Sequence, residues 1–119
     1  MTNKQIYEYS QKLAIFTDCN LKLPVRISFY LQKNIQLIQQ ATDDIDRARL
    51  GIGAKFGTPN AQGTGYDIPP ENIQFANREL NELFELEQDL NIHIFKLEDF
   101  EGVDLTYQEL SAIMFMIEE

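Results

Sequence analysis

The strongest pattern in the sequence is a row of apolar residues that recurs every three or four positions. Its members are Ile27, Leu31, Ile35, Ile38, Ala41, Ile45 and Ala48. Side chains at this spacing share one face of an α-helix, and Pro24 stands where the first helical residue is expected. The pattern predicts a helix of about 25 residues, roughly 38 Å long. Other elements must cover the apolar face of such a helix.

Two further segments carry helix-start signals. Thr2 and Gln5 have the spacing of a capping box, and so do Thr106 and Glu109. The first signal is followed by apolar residues at helical spacing, namely Ile6, Tyr9, Leu13 and Phe16. The helix predicted after Thr106 is nearly apolar as far as Ile117, so it is either buried within the chain or docked on another chain.

Residues 51–70 form the one loop-like insert, with five of the six glycines and three of the four prolines. Its glycines are Gly51, Gly53, Gly57, Gly63 and Gly65. We interpret the first of them as the end of the long helix. A loop this long is usually functional, mobile or folded as a small hairpin, and a hairpin pairing Lys55–Phe56 with Tyr66–Ile68 fits the sequence.

The segment after the insert favours a helix followed by a strand. A third helix is expected from Pro69 to Asp89, with an inward row formed by Ile73, Ala76, Leu80, Leu83 and Leu90. Residues 91–97 are mostly β-branched, aromatic or bulky and predict a short strand. That strand needs a partner, which could be the hairpin or a second protomer.

These predictions give an α+β fold that is predominantly α-helical. Two long helices flank a Gly-rich loop or small hairpin, followed by a short strand and a capped C-terminal helix. A chain of 119 residues is most simply a single domain. It divides into a helical front (residues 1–50), the insert (51–70) and an acidic helix-strand-helix (71–119).

The charge is distributed unevenly along the chain. The net charge is −9, but residues 1–60 carry +3 and residues 61–119 carry −12. Either the two halves offset each other on folding, or the acidic half attracts a basic partner. The candidate partner-binding residues are Glu82, Glu85, Asp89, Glu98, Asp99, Glu101 and Asp104. An acidic balance argues against direct binding to nucleic acid or to an anionic membrane.

Other features exclude further classes of function. The longest apolar run, Ala112 to Ile117, is too short to span a bilayer, and the N-terminus lacks the apolar core of a signal peptide. The single cysteine, Cys19, excludes an intrachain disulfide and fits a reducing compartment.

No residue pattern indicates catalysis. His93 is the only histidine and stands in a predicted strand, where a structural role is expected, and Asp18 beside Cys19 disfavours a reactive thiolate. The sequence from Gly51 to Gly57 follows a helix rather than a strand and lacks the Lys-Ser/Thr end of a phosphate-binding loop. We therefore expect no catalytic residue, no cofactor and no metal site.

Several segments carry a family resemblance: TNKQI, LPVRISFYLQKNI, RARLGIGAKFG, GYDIPPENIQFANRELNELFELEQDLNIHIFKLEDFEG and LTYQELSAIMFMIEE. Together they resemble a family of small uncharacterised proteins of bacteriophages and prophages, mostly from Gram-positive hosts. The insert here is richer in Gly, Thr and Ala than the family pattern. The resemblance implies a viral genomic context, with the host cytoplasm or the virion as the expected location, and it transfers no activity.

Three functions stay open at this point. The first is a non-enzymatic phage protein acting through protein–protein contacts in virion assembly or as an accessory component. The second is an acidic inhibitor of a host defence or nucleic-acid-binding protein, acting by nucleic-acid mimicry or by clamping a basic surface. The third is a small-ligand-binding protein that uses the Gly-rich loop. A homo-oligomer with contacts at Phe115 and Met116 is compatible with each.

Overall fold

One long helix sets the length of the molecule, whose principal dimensions are 56 × 28 × 21 Å. The structure is a computed structural model that describes residues 1–16 and 23–118. Its helices are α1 (Asn3–Leu13), α2 (Val25–Phe56), α3 (Pro70–Glu85) and α4 (Tyr107–Ile113). Its strands are β1 (Thr58–Pro59), β2 (Tyr66–Asp67), β3 (Phe95–Lys96) and β4 (Ile117–Glu118), and 3₁₀ turns cover Ala14–Phe16, Leu97–Phe100 and Met114–Met116. This is the predicted predominantly helical α+β fold.

Helix α2 is longer than the sequence predicts. It has 32 residues, so Gly51 and Gly53 lie inside it and do not end it. A glycine costs only about 1 kcal/mol in a helix interior, and Gly53 has a packing role, because a Cβ there would lie 2.8 Å from Cδ2 of Tyr66. The helix ends at Gly57, whose N–H donates to the Gly53 carbonyl at 2.8 Å.

The buried face of α2 forms the centre of the core. Its buried residues are Ile27, Leu31, Asn34, Ile38, Ala41 and Ile45. The predicted row is confirmed except at two positions, since Ile35 is only partly buried and Ala48 is exposed. The buried positions of α2 are spaced alternately by four and by three residues. After Leu31 the next buried residue is therefore Asn34, and not Ile35 as predicted.

The start of α1 is bonded to the end of α3. The predicted capping box is present, with Thr2 Oγ1 accepting from the Gln5 N–H at 3.2 Å. The backbone N–H of Asn3 donates to the Leu86 carbonyl at 2.8 Å, and its side-chain amide donates to the Leu83 carbonyl, also at 2.8 Å. The carbonyls of Leu83 and Leu86 at the end of α3 thus accept hydrogen bonds from Asn3 instead of from a further turn of the helix.

Helix α3 accordingly differs from its predicted form in two respects. It ends at Glu85, so Asp89 lies beyond it and not on its acidic ridge. Ile73, predicted to face inward, is 45% exposed, whereas Ala76 is buried as expected.

The hairpin exists in a shifted register. Thr58 pairs with Asp67 and Pro59 with Tyr66, in antiparallel orientation. The predicted first strand, Lys55–Phe56, is the last part of α2. The pairing had to move because these residues already belong to the helix.

The short strand finds its partner within the chain. Phe95 pairs with Ile117 in a parallel register, so the partner of this strand comes from the C-terminal segment and not from the hairpin. The predicted C-terminal helix ends at Ile113 and continues through a 3₁₀ turn into β4. Its capping box is confirmed, since the Glu109 N–H donates to Thr106 Oγ1 at 3.1 Å.

Alanine substitutions at two glycines should have opposite effects on stability. A Cβ at Gly51 would meet nothing within 4 Å, whereas at Gly57 it would lie 2.5 Å from the Asp67 carbonyl oxygen. We expect Gly51→Ala to raise the free energy of unfolding by about 0.5–1 kcal/mol, and Gly57→Ala to lower it by about 1–3 kcal/mol. Urea denaturation of both variants measures this, and equal effects would contradict the assigned helix end.

Candidate functional site

The structure leaves most of the candidate acidic residues open to solvent. Glu82, Glu85, Asp89, Glu98, Glu101 and Asp104 are exposed. Asp99 differs, because its carboxylate lies 3.6 Å from the Arg26 guanidinium and accepts from the Lys96 N–H at 2.9 Å. Asp99 therefore connects β3 to the start of α2, and its candidate role in partner binding is not favoured.

The exposed acidic residues form two separate groups. Glu79 pairs with Lys55 at one end of α2, and Asp99 pairs with Arg26 at the other end. Arg26 and Lys55 are about 44 Å apart at the helical rise per residue. We call Glu82, Glu85 and Asp89 the helix-three acidic group, and Glu98, Glu101 and Asp104 the distal acidic group.

The candidate acidic residues are thus divided between two parts of the molecule. Glu82 and Glu85 are three and six positions after Glu79 in α3, so they lie within about 9 Å of it along the helix axis. The pairs Arg26–Asp99 and Lys55–Glu79 therefore place the two groups toward different ends of α2. A single small partner contact would engage one group or the other.

None of these six carboxylates is neutralised by an ion pair within the described part of the chain. The ion pairs there join Arg26 to Asp99, Arg47 to Asp44, Arg49 to Asp46 and Lys55 to Glu79. Exposed and unpaired carboxylates project their charge into solvent. The helix-three acidic group has two members on one helix surface, since Glu82 and Glu85 are three positions apart in α3.

The apolar C-terminal residues are covered by their own chain. Met116 is fully buried, which corrects its assignment to an oligomer contact. Phe115 is partly buried and stacks on Tyr9, with ring centroids 4.0 Å apart and planes within 8°. Residues of the same chain therefore cover Met116 and stack on Phe115, so these two side chains do not require a second protomer to cover them.

The loop glycines serve the geometry of α2 and the hairpin. Gly63 adopts a positive φ of 69°, which glycine tolerates better than other residues. The carbonyl of Gly65 accepts from the Asn60 N–H at 3.0 Å. A groove of about 400 Å³ beside Gly53 and Gly65 is lined largely by apolar side chains, and its Arg49 is already paired with Asp46.

A cleft that the sequence analysis missed lies between α2 and residues 91–93. It has a volume of about 600 Å³, within the range of small-molecule sites. Its lining residues are Tyr30, Lys33, Asn34, Gln36, Leu37, Gln40, Asn91 and His93. The one sequence feature that could have indicated this cleft is Asn34, a polar residue three positions after Leu31 and four before Ile38, where the helical spacing calls for an apolar residue.

Asn34 fixes the wall of this cleft. Its side-chain amide donates to the His93 carbonyl at 2.9 Å, and its oxygen accepts from the His93 N–H at 2.8 Å. The His93 ring stacks on Tyr30 with centroids 3.9 Å apart and meets Phe95 edge-on at 4.8 Å. These contacts pack the His93 ring against Tyr30 and Phe95 and place it beside the cleft; His93 precedes β3 and so does not lie in a strand as predicted.

The described residues contain no group of three or more His, Cys, Asp or Glu side chains suited to a metal ion. No helix among them is long and apolar enough to cross a membrane. The predictions for Asp18 and Cys19 fall outside residues 1–16 and 23–118.

Comparisons with known proteins identify no relative. No protein-family model matches the chain, and neither the curated proteins nor the solved structures include a match.

Proposed function

We propose that the protein acts without catalysis, by binding a partner protein that presents a basic surface to the helix-three acidic group. The observation that carries this proposal is the exposure of Glu82, Glu85 and Asp89 without a neutralising ion pair in the described residues. They belong to the half of the chain that carries a charge of −12.

An exposed acidic surface mainly increases the rate at which the protein associates with a basic partner. Unpaired carboxylates attract a basic partner over a distance of about one Debye length, roughly 8–10 Å at physiological ionic strength. Charge complementarity then raises the association rate and selects partners more than it raises intrinsic affinity. Binding should therefore weaken as the salt concentration rises.

The resemblance to small phage and prophage proteins supports a viral setting for this contact. The partner would be a virion protein during assembly or an accessory phage protein, and the chain would act in the host cytoplasm or in the particle. The same surface also suits the alternative, a host-directed inhibitor that occupies the basic site of a defence or nucleic-acid-binding protein. Both alternatives use the same acidic residues.

The Gly-rich loop is a weaker basis for ligand binding. Gly51 and Gly53 are helical, and Gly57 lies against the hairpin backbone. Their backbone N–H groups are therefore not gathered in one open loop, which is how glycine-rich segments cradle phosphate. We do not propose a ligand site there.

Charge reversal on helix α3 should abolish partner capture. The tagged full chain and its Glu82→Lys/Glu85→Lys/Asp89→Lys variant are compared as baits in phage-infected cells, over a series of salt concentrations. We expect the variant to lose at least about tenfold in capture of a partner that the unmodified chain retains at low salt. Circular dichroism checks that the variant is folded.

The distal acidic group supplies a matched control. Glu98→Lys/Glu101→Lys/Asp104→Lys changes the net charge by the same amount at the other acidic group, so it should retain the partner. Equal loss in both variants would show a general charge effect and contradict the proposal, as would capture that is insensitive to salt. A captured phage structural protein indicates assembly, whereas a captured host protein indicates inhibition.

A further inference from the structure

The cleft between α2 and residues 91–93 contains polar groups with no partner in the protein. The side chains of Gln36, Asn91 and the His93 imidazole form no hydrogen bond to another residue in the described ranges. Lys33 forms no ion pair there and only lies over the Phe29 ring, at 5.0 Å from its centroid. Lys33, Gln36 and Asn91 are exposed and line one concavity, so their polar groups are accessible to a ligand bound there.

The charge of the lining contrasts with the charge of the chain. The protein has 19 acidic residues, yet no Asp or Glu lines this cleft. Lys33 is the one lysine or arginine in the lining. The carboxylate bonded to a lining residue is Asp44, which accepts from Gln40 at 3.4 Å and lies 3.8 Å from Arg47. Because the lining carries one cation and no anion, it favours a negatively charged ligand.

The walls also favour a ligand with a flat part. The stacked rings of Tyr30 and His93 form one wall, and Leu37 adds apolar surface. A planar group can pack against an edge or an outer face of this ring pair, while side-chain amides can both donate to and accept from the edge of a heterocycle. The two bonds from Asn34 hold this wall in place before any ligand binds, which lowers the ordering cost of binding.

We propose that this cleft binds a small organic anion with a planar, hydrogen-bonding body, of the kind represented by a nucleoside monophosphate. Lys33 contacts the anionic group, and the Tyr30 and His93 wall contacts the planar body. Gln36 and Asn91 supply hydrogen bonds to its edge. The cleft shares no residue with the acidic groups proposed to bind a partner protein, although Asp89 is two positions from Asn91; the two proposals are tested with different probes and can fail independently.

Titration of the isotope-labelled full chain tests the proposal by NMR. The probes are AMP, GMP, CMP and UMP, with adenosine and inorganic phosphate as the separated halves of a nucleotide. We expect at least one nucleotide to shift the backbone amides of residues 30–40 and 91–93 at millimolar concentration or below. We expect adenosine and phosphate each to bind more weakly, because each makes only part of the contacts.

Two variants and a control identify the contacts. Lys33→Gln removes the cation from an exposed position and should weaken nucleotide binding by at least about tenfold. His93→Phe keeps an aromatic ring against Tyr30 and leaves Lys33 in place, so it should change adenosine binding and nucleotide binding by the same factor. Lys4→Gln makes the same charge change at an exposed lysine of α1 and should have no effect.

Three results would overturn the proposal. One is the absence of localised shifts with all four nucleotides. Another is equal weakening by Lys33→Gln and Lys4→Gln, which would mean that the protein binds anions through its general charge. The third is equal binding of inorganic phosphate and nucleotide, which would exclude a planar body from the ligand.

Discussion

We expect Met116→Ala to lower the free energy of unfolding by about 2–5 kcal/mol, the range for truncating a buried methionine. Met116 is fully buried in the core cluster, and its Sδ lies 3.3 Å from the Asn34 amide nitrogen. Truncation would leave a cavity where the C-terminal segment meets α2. Urea denaturation followed by circular dichroism measures the change.

Met114 provides the control for this prediction. It is two positions away and 43% exposed, so Met114→Ala should change stability by no more than about 0.5 kcal/mol. Light scattering of both variants tests the alternative in which Met116 forms an oligomer contact. A Met116→Ala chain with unchanged stability and a lower molecular mass would contradict the burial of this side chain in its own core.

Asn34→Ala should lower the free energy of unfolding by about 2–4 kcal/mol, since it removes two hydrogen bonds and leaves both backbone groups of His93 without their partner. Asn34→Leu should also be destabilising, although it completes the apolar row of α2. Leucine fills space but can neither donate to the His93 carbonyl nor accept from its N–H. The same denaturation experiment measures both variants.

Gln36→Ala is the matched control for Asn34, because it also removes a side-chain amide from α2 but at an exposed position. Its effect should stay within about 0.5 kcal/mol. Amide hydrogen exchange gives a second readout, since the His93 N–H should exchange faster in both Asn34 variants. If Asn34→Leu were as stable as the unmodified chain, the hydrogen bonds to His93 would not matter for the fold.

The beginnings of helices were predictable because their signals are local. Thr2 with Gln5 and Thr106 with Glu109 form capping boxes whose partners are three positions apart. Such pairs satisfy backbone N–H groups that have no partner inside the helix. The long apolar row of α2 is equally local, since 3.6 residues per turn place its members on one face.

The ends of helices and the strand pairing were not predictable in the same way. Helix α3 ends where Leu86 meets Asn3, which is more than 80 positions away in the chain. β3 pairs with β4, which lies 22 positions further along the chain, from Phe95 to Ile117. The residue pattern of one segment does not show which distant segment will supply its hydrogen-bond partners.

The acidic residues show the same division. The sequence indicates which half of the chain is acidic, because charge depends only on residue type. It does not show that Asp99 is bonded to Arg26 and to the backbone of Lys96. It also does not show that the remaining carboxylates fall into two separated groups.

By itself, the sequence determined the helical class, the capped starts of α1 and α4, the apolar face of α2 and the acidic second half. The tertiary structure alone decided where α2 and α3 end, which strand completes the short sheet, and how Asn34 forms a cleft with His93. The physical reason is the separation along the chain of the residues that interact. Capping, helical periodicity and charge act between neighbouring residues or depend on composition, whereas helix ends and clefts depend on which distant backbone groups become hydrogen-bond partners.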